Sequence, residues 1–240
     1  MKVAALYDIH GNLPALEAVL GEVPDDAMVL IGGDIVAGPM PSETLERLRS
    51  VSERTVFIRG NADRVSGVDS DLWRRRTDWV WAHLGEGAQA FLSGLPLTRT
   101  LDVDGLGRAL FCHGSPRSDE ESVTAVTSEP RLREILADVE ERVVVCGHTH
   151  HQFDREVDGI RVVNAGSVGM PYEGRAGAYW ALLGPGVEHR RTDYDVEHTA
   201  DAIRKSGYPD PEELIELLAS PPSAQEVAEF FEQRALRESA

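Results

Sequence analysis

The chain has 240 residues and a formal net charge of −17, with 42% hydrophobic and 27% charged residues. That length suits one well-buried domain with an appendage, and the charge speaks against long nucleic acid as a partner, because a field of that sign repels phosphate backbones. No apolar stretch nears the roughly 20 residues of a membrane span, and the opening "MKVAALYDIHGN" enters strand-like sequence with no signal-peptide core, so a cytoplasmic protein away from membranes is expected.

In chain order, residues 2–7 read as a buried strand. "NLPALEAVLG" follows as a helix, with Asn12 as N-cap, Pro14 in the first turn and Gly21 as its stop. Apolar runs at 27–31 and 54–58 are further strands, and "PSETLERLRS" between them reads as a helix capped by Ser42, with Leu45 and Leu48 on one face. This β-α-β-α-β opening predicts a parallel sheet flanked by helices. Residues 64–95 have the character of a helical insertion, in which Trp73, Thr77, Val80, Trp81 and Leu84 recur at helical spacing. Its run Arg74-Arg75-Arg76 reads as a solvated face, with Arg74 four residues before Asp78.

Strands are expected again at 109–112 and 142–146, ending in Cys112 and Cys146, which read as small reduced hydrophobes near strand ends. Beyond residue 150, the segments 152–157, 160–164, 176–183 and 186–193 look like hairpins of a second, more antiparallel sheet. The tail 195–240, taken as an extension of a 1–194 domain, reads as three amphipathic helices. Val196, Ala200 and Ile203 share one face, and Leu214, Leu217 and Leu218 another. Ser223 and Glu226 form a capping box ahead of Val227, Phe230 and Phe231. These faces must pack on the main domain or on a second subunit, so a homo-oligomer through the C-terminal helices is one expectation.

The chemistry lies at the strand ends. "LYDIHGN" delivers Asp8 and His10, "VLIGGDIV" Asp34, "VFIRGNAD" Asn61 and Asp63, "ALFCHGS" His113, and "VVVCGHTHH" His148, His150 and His151. Carboxyl ends of sheet strands gather where α/β sheets bind ligands. Residues two apart in extended chain point the same way, so Asp8 and His10 can reach one ion, as can His148 and His150 if the chain stays extended past Gly147. Carboxylate, imidazole and amide oxygen together suit Mn²⁺, Fe²⁺, Ni²⁺ or Zn²⁺, with Mn²⁺ first. Seven donors are too many for one ion and suit two ions sharing a carboxylate. Each fragment alone is ordinarily an acid that caps a helix or a satisfied core histidine; five of them in this order are hard to explain by capping and packing.

The ordered fragments resemble the calcineurin-like metallophosphoesterase superfamily, whose pattern is D-x-H, G-D, G-N-H-D/E, a later H, and G-H-x-H. The similarity runs from residue 8 to 150 and continues through "NAGSVGMP" (164–171) and the amphipathic tail, in the manner of compact prokaryotic members that open with "DIHGN". The resemblance implies an α/β fold of two packed mixed sheets sandwiched by helices in four layers, and two metals. Carried over by motif, Asp8, His10 and His150 hold the first metal, Asn61, His113 and His148 the second, and Asp34 bridges them. It further implies hydrolysis of a small phosphorylated substrate by in-line attack of a metal-bridging hydroxide. Asp34, Asn61, Asp63 and His148 are then the catalytic candidates, Asp63 by orienting a ligand or water. Asn61 and Arg117 are the candidate substrate contacts. Arg117 reads equally as a surface residue pairing with Asp119 or Glu120, and His151 reads as exposed.

One departure matters. The third motif is Gly60-Asn61-Ala62-Asp63, with alanine where well-studied relatives carry the histidine assigned to the leaving group. The same fold also serves as a protein-interaction scaffold with weak or lost catalysis, and Ala62 fits that alternative; retention of all seven donors speaks for an enzyme. Losing a general acid typically costs ~10²–10⁴-fold, most for poor leaving groups. Aryl phosphodiesters are therefore expected to be cut far better than alkyl phosphates, and a rate independent of leaving-group pKa would contradict the reading.

Overall fold

The computed structural model describes residues 1–64 and 70–238; residues 65–69, the opening of the expected insertion, lie outside the described residues. The first strand shows how the layers arise. In β1 (Lys2–Leu6) both faces are apolar. Val3, Ala5 and the following Tyr7 enter one core and Ala4 and Leu6 another, as a strand buried on both sides requires. β2 (Ala27–Ile31) and β3 (Thr55–Phe57) pair parallel to it in turn. β9 (Ala178–Leu183) and β10 (Val187–Thr192) complete a sheet of order β10-β9-β1-β2-β3.

The second sheet repeats the logic. β6 (Val143–Cys146) sends Val143 and Val145 to the core between the sheets and Val144 and Cys146 to the outer side. It lies between β5 (Gly107–Cys112) and β8 (Ile160–Asn164), parallel to both, with β4 (Thr98–Val103) and β7 (Phe153–Val157) at the edges. The Tyr7 hydroxyl crosses the gap to donate to the Val145 carbonyl at 3.0 Å. Helices α1 (Leu13–Glu22) and α2 (Pro41–Ser50) cover the first sheet, and α5 (Glu129–Ile135) the second. The result is the expected pair of mixed sheets between helical layers.

Several local expectations are corrected. The segment 152–193 does not form a sheet of its own: β7 and β8 join the second sheet and β9 and β10 the first. The edge strand β4 escapes sequence patterning because its outer residues are polar and exposed, as an edge tolerates. Gly21 lies inside α1, which ends one residue later where Val23 turns extended ahead of Pro24. α2 begins at Pro41, whose missing N–H needs no cap, and the Ser42 hydroxyl donates instead to the His83 carbonyl at 2.7 Å. Asn12 does cap α1, its Oδ1 accepting from the Ala15 N–H at 3.2 Å.

The insertion forms α3 (Asp71–His83) and α4 (Glu86–Ser93), and its arginine run is not uniformly solvated. Arg74 pairs with Asp71 rather than Asp78, Arg75 with Asp210, and Arg76 is buried, donating to the carbonyls of Pro209 and Asp210. The pairing clamps α3 to the turn between α6 (Val196–Ser206) and α7 (Pro211–Ala219). The apolar faces of those two helices, through Ile203, Leu214 and Leu218, belong to the core of the first sheet. α8 (Ala224–Glu238) opens with the reciprocal Ser223–Glu226 box. It buries Val227, Ala228 and Ala235 and leaves Phe230 and Leu236 exposed. Arg76→Ala is expected to lower the unfolding free energy by ~1–3 kcal/mol by removing a buried guanidinium and its hydrogen bonds to two part-buried carbonyls, and Arg75→Ala to change it little because its ion pair is exposed. Equal losses in urea unfolding would contradict the clamp.

Candidate metal centre

Each candidate donor follows the carboxyl end of a parallel strand, and both sheets contribute to one cluster. Asp8 and His10 follow β1, Asp34 follows β2, Asn61 and Asp63 follow β3, His113 follows β5, and His148 and His150 follow β6. The chain does not stay extended there. Asp8, His10, Asp34, His148 and His150 take φ of 52°, 48°, 49°, 66° and 58°, so among the described residues five of the seven non-glycine residues with positive φ are candidate donors. A side chain in that region costs on the order of 1–3 kcal/mol and persists only where the surroundings impose it. The twist decides which donors meet. Asp8, His10 and His150 converge within 4.8 Å of one another, as do Asp8, Asp34 and His113. His148 does not point with His150, as an extended chain would require; its ring lies 5.3 Å from that of His113, and its backbone N–H donates to Asp8 Oδ2 at 2.9 Å.

Hydrogen bonds aim the imidazoles. Nδ1 of His113 faces the Gly32 carbonyl at 2.8 Å, that of His150 the Met170 carbonyl at 2.7 Å, and that of His10 the Ala37 carbonyl at 3.3 Å. A carbonyl only accepts, so each Nδ1 carries a proton and each Nε2 faces the cluster. His10 Nε2 and His150 Nε2 then face each other at 3.2 Å, and His150 Nε2 lies 3.1 Å from Asp8 Oδ1. That carboxylate oxygen is fully buried without a hydrogen-bond donor. Asp34 spans the two groups, with Oδ2 3.8 Å from His10 Nε2 and Oδ1 3.5 Å from His113 Nε2. Asn61 Oδ1 sits 3.1 Å from His113 Nε2. Two atoms each about 2.1 Å from a shared ion stand roughly 3–3.6 Å apart, so the spacing and donor chemistry fit divalent cations.

Electrostatics point the same way. Burial raises the Asp8 and Asp34 carboxyls, yet the imidazoles of His150 and His113 outweigh it and hold both below the ordinary carboxylate range. Burial lowers His113, yet Asp34 and Asp8 outweigh it and push that imidazole up to about 10. His10 is lowered to about 4 by burial and His150, and His148 to about 4 by burial and His113. Positive charge is wanted between the carboxylates, and the outer imidazoles stay neutral to receive it.

The remaining candidates divide. Asp63 is buried and accepts from the Ile35 and Gly60 N–H groups, each at 2.9 Å, which ties the loops bearing Asp34 and Asn61 together. Burial and the Asp34 charge raise it to about 7. Ala62 spends its N–H on Asp34 Oδ1 at 2.8 Å. His151 is buried rather than exposed, its Nδ1 held by the Thr149 carbonyl at 3.0 Å and its Nε2 without a partner. Arg117 pairs with Glu121 and Glu134, not with Asp119 or Glu120; Arg64 takes those two acids.

Sequence reasoning missed the supports from the 164–172 segment. Asn164 donates to the Gly147 carbonyl, and Ser167 to the Asp8 carbonyl. The Tyr172 ring stacks on His150 at 4.8 Å. Phe231 of the tail stands 5.9 Å from the His148 ring. Their signal lay in the "NAGSVGMP" run and in an aromatic pair on the last helix, neither of which names a contact.

Two packed sheets whose strand ends bring carboxylates and imidazoles into one buried cluster define the chain as a metal-dependent phosphoesterase. It belongs to the calcineurin-like phosphoesterase superfamily, whose domain model matches residues 1–183. Phosphodiesterase YfcE of Escherichia coli is 28% identical over 194 residues, covering 76% of this chain and 87% of that protein. The crystal structure of a metallophosphoesterase from Sphaerobacter thermophilus is similar at 26% identity and a TM-score of 0.75, covering 92% of this chain and 99% of the other. A hypothetical protein from Pyrococcus horikoshii shares the fold at a TM-score of 0.81 and 23% identity, with 92% of this chain and 99% of that one covered.

Asp63→Ala leaves two buried N–H groups unpaired, so a loss of about 2 kcal/mol or more in unfolding free energy is expected. Asp63→Asn, which can still accept one of those bonds, should lose less. A fully stable Asp63→Ala protein would contradict the positioning role.

Proposed function

We propose that the chain hydrolyses phosphodiesters at a dinuclear centre, with Asp8, His10 and His150 holding one cation, Asn61, His113 and His148 the other, and Asp34 shared by both. The observation that carries the reading is the pair of inward-turned Nε2 atoms at 3.2 Å beside an orphaned, buried carboxylate oxygen of Asp8. Such an arrangement is costly unless a positive charge lies among them. When bound, two divalent ions of the Mn²⁺, Fe²⁺, Ni²⁺ or Zn²⁺ kind, Mn²⁺ first, supply Lewis acidity to phosphoryl oxygens and acidify water.

The chain's own residues do the rest. The carbonyls of Gly32, Ala37 and Met170 fix the tautomers that present Nε2. Asn61 turns Oδ1 toward His113, which leaves its amide N–H groups to orient a phosphoryl oxygen. Asp63 holds the Asp34 and Asn61 loops in register. No group at Ala62 can protonate a departing alcohol, since its side chain is a methyl and its N–H is spent on Asp34. His151 is buried, and that burial lowers its pKa, which disfavours the charged form that could protonate a leaving group. Leaving groups that depart as stable anions suit this site, and the likeness to a protein named a phosphodiesterase supports the diester as substrate class.

Metal-free protein is expected to be inactive toward bis(para-nitrophenyl) phosphate and to recover on reloading, with Mn²⁺ compared against Fe²⁺, Ni²⁺ and Zn²⁺; full activity without metal would contradict the reading. His113, at about 10, carries a proton near neutral pH that Nε2 must release to ligate. Binding should therefore release about one proton per chain, read by calorimetry in buffers of different ionisation heat, and metal affinity should fall as pH falls.

A further inference from the structure

The site is flanked by aromatic rings that none of its own chemistry requires. On one side the half-buried Tyr172 ring stacks on His150 at 4.8 Å and 21°, while His150 in turn lies against His10 at 4.9 Å. On the other, Phe231 lies 5.9 Å from His148, which stands 5.3 Å from His113. Each imidazole pair thus ends in an aromatic ring, one from the loop after β8 and one from the last helix.

Phe231 is not held there by a core. Among the described residues it joins none of the three apolar clusters, and its neighbour Phe230, edge-on at 5.8 Å, is 62% exposed. It is nevertheless fixed. The next residue, Glu232, accepts from the hydroxyls of Thr124 and Thr127 and from Arg131, while Val227, Ala228 and Ala235 are buried along the same helix. Phe231 is thus a half-buried ring, anchored beside a candidate metal ligand, whose remaining open face can pack against the organic part of a bound ester.

We propose that Phe231 is a specificity-determining residue: with Tyr172 it gives the metal centre an aromatic rim that selects phosphate esters bearing a flat, unsaturated ring over aliphatic ones. The inference rests on the phosphoesterase reading and adds the organic half of the substrate. Offset or edge-to-face packing of a substrate ring on Phe231 uses the ring quadrupole, and its loss reads as roughly a 2- to 12-fold change in affinity.

The test is equilibrium binding of two non-hydrolysable probes, phenylphosphonate and methylphosphonate, to the full chain loaded with Mn²⁺. Wild type is expected to bind the phenyl probe more tightly. Phe231→Leu, which keeps the apolar volume but loses the π face, should shrink that preference by roughly 2- to 12-fold with methylphosphonate affinity unchanged. Phe231→Trp should restore it, and Leu236→Ala, exposed on the same helix, should leave it intact. Thermal melting of each variant confirms folding, and Phe231→Met, which also lacks a π face, serves as a second replacement should the leucine variant not fold. Methylphosphonate binding with an unchanged phenyl preference, or an equal loss for both probes, overturns the aromatic rim and leaves the phosphoesterase reading standing. Failure of wild type to bind the phenyl probe more tightly than the methyl probe also overturns the rim, while the phosphoesterase reading stands or falls on the metal-reloading assay.

Discussion

The constraint on which the rest depends is the burial of two carboxylates, Asp8 and Asp34, beside imidazoles turned toward them. Asp8 is fully buried and Asp34 nearly so, and Asp8 Oδ1 has no hydrogen-bond donor. Unpaired buried charge is among the most costly features a fold can carry. The surrounding structure is arranged to keep it: three backbone carbonyls fix the imidazole tautomers, Asp63 ties two loops, and five donors sit in left-handed backbone. Strain of that kind, concentrated at one cluster, marks a place where geometry has been preferred to stability.

The fold explains how distant residues meet. Parallel strands end on the same side, and two sheets packed face to face bring two such rims together. The first sheet supplies the Asp8, Asp34 and Asn61 loops, and the second His113, His148 and His150. The segment after β8 locks the two rims, since Ser167 reaches the Asp8 carbonyl and Asn164 the Gly147 carbonyl. The tail, whose first two helices pack into the core of the first sheet, then sets Phe231 of α8 beside His148.

Much of this was legible in the sequence because it is written in local patterns. Apolar runs marked the buried strands, and a donor directly after a strand is visible in any single motif. What the patterns could not carry was direction. Alternation predicts that His148 and His150 point alike, and the left-handed turn at both residues separates them; only the family likeness assigned them to different halves. Strand β4 hid because an edge strand need not be apolar, and the segments after residue 150 show strand patterning while their division between two sheets depends on tertiary pairing. Arg76 looked solvated because its partners are backbone carbonyls more than 130 residues away. Tyr172 and Phe231 carried no chemical signature, since an aromatic residue on an amphipathic helix is ordinarily core.

Ala62 bears on the chemistry by what it lacks: its side chain is a methyl and its N–H is spent on Asp34. Under the proposed reading, gathering cations and assisting a leaving group are therefore separated within one loop. The claim beneath all of this is that Asp34 is shared between two cations. Elemental analysis after equilibrium dialysis of metal-free protein against Mn²⁺ tests it most directly. The account predicts about two ions per chain in the wild type and loss of at least one in Asp34→Asn; a wild-type chain that binds none, or an Asp34→Asn variant that still binds both with unchanged affinity, would contradict it.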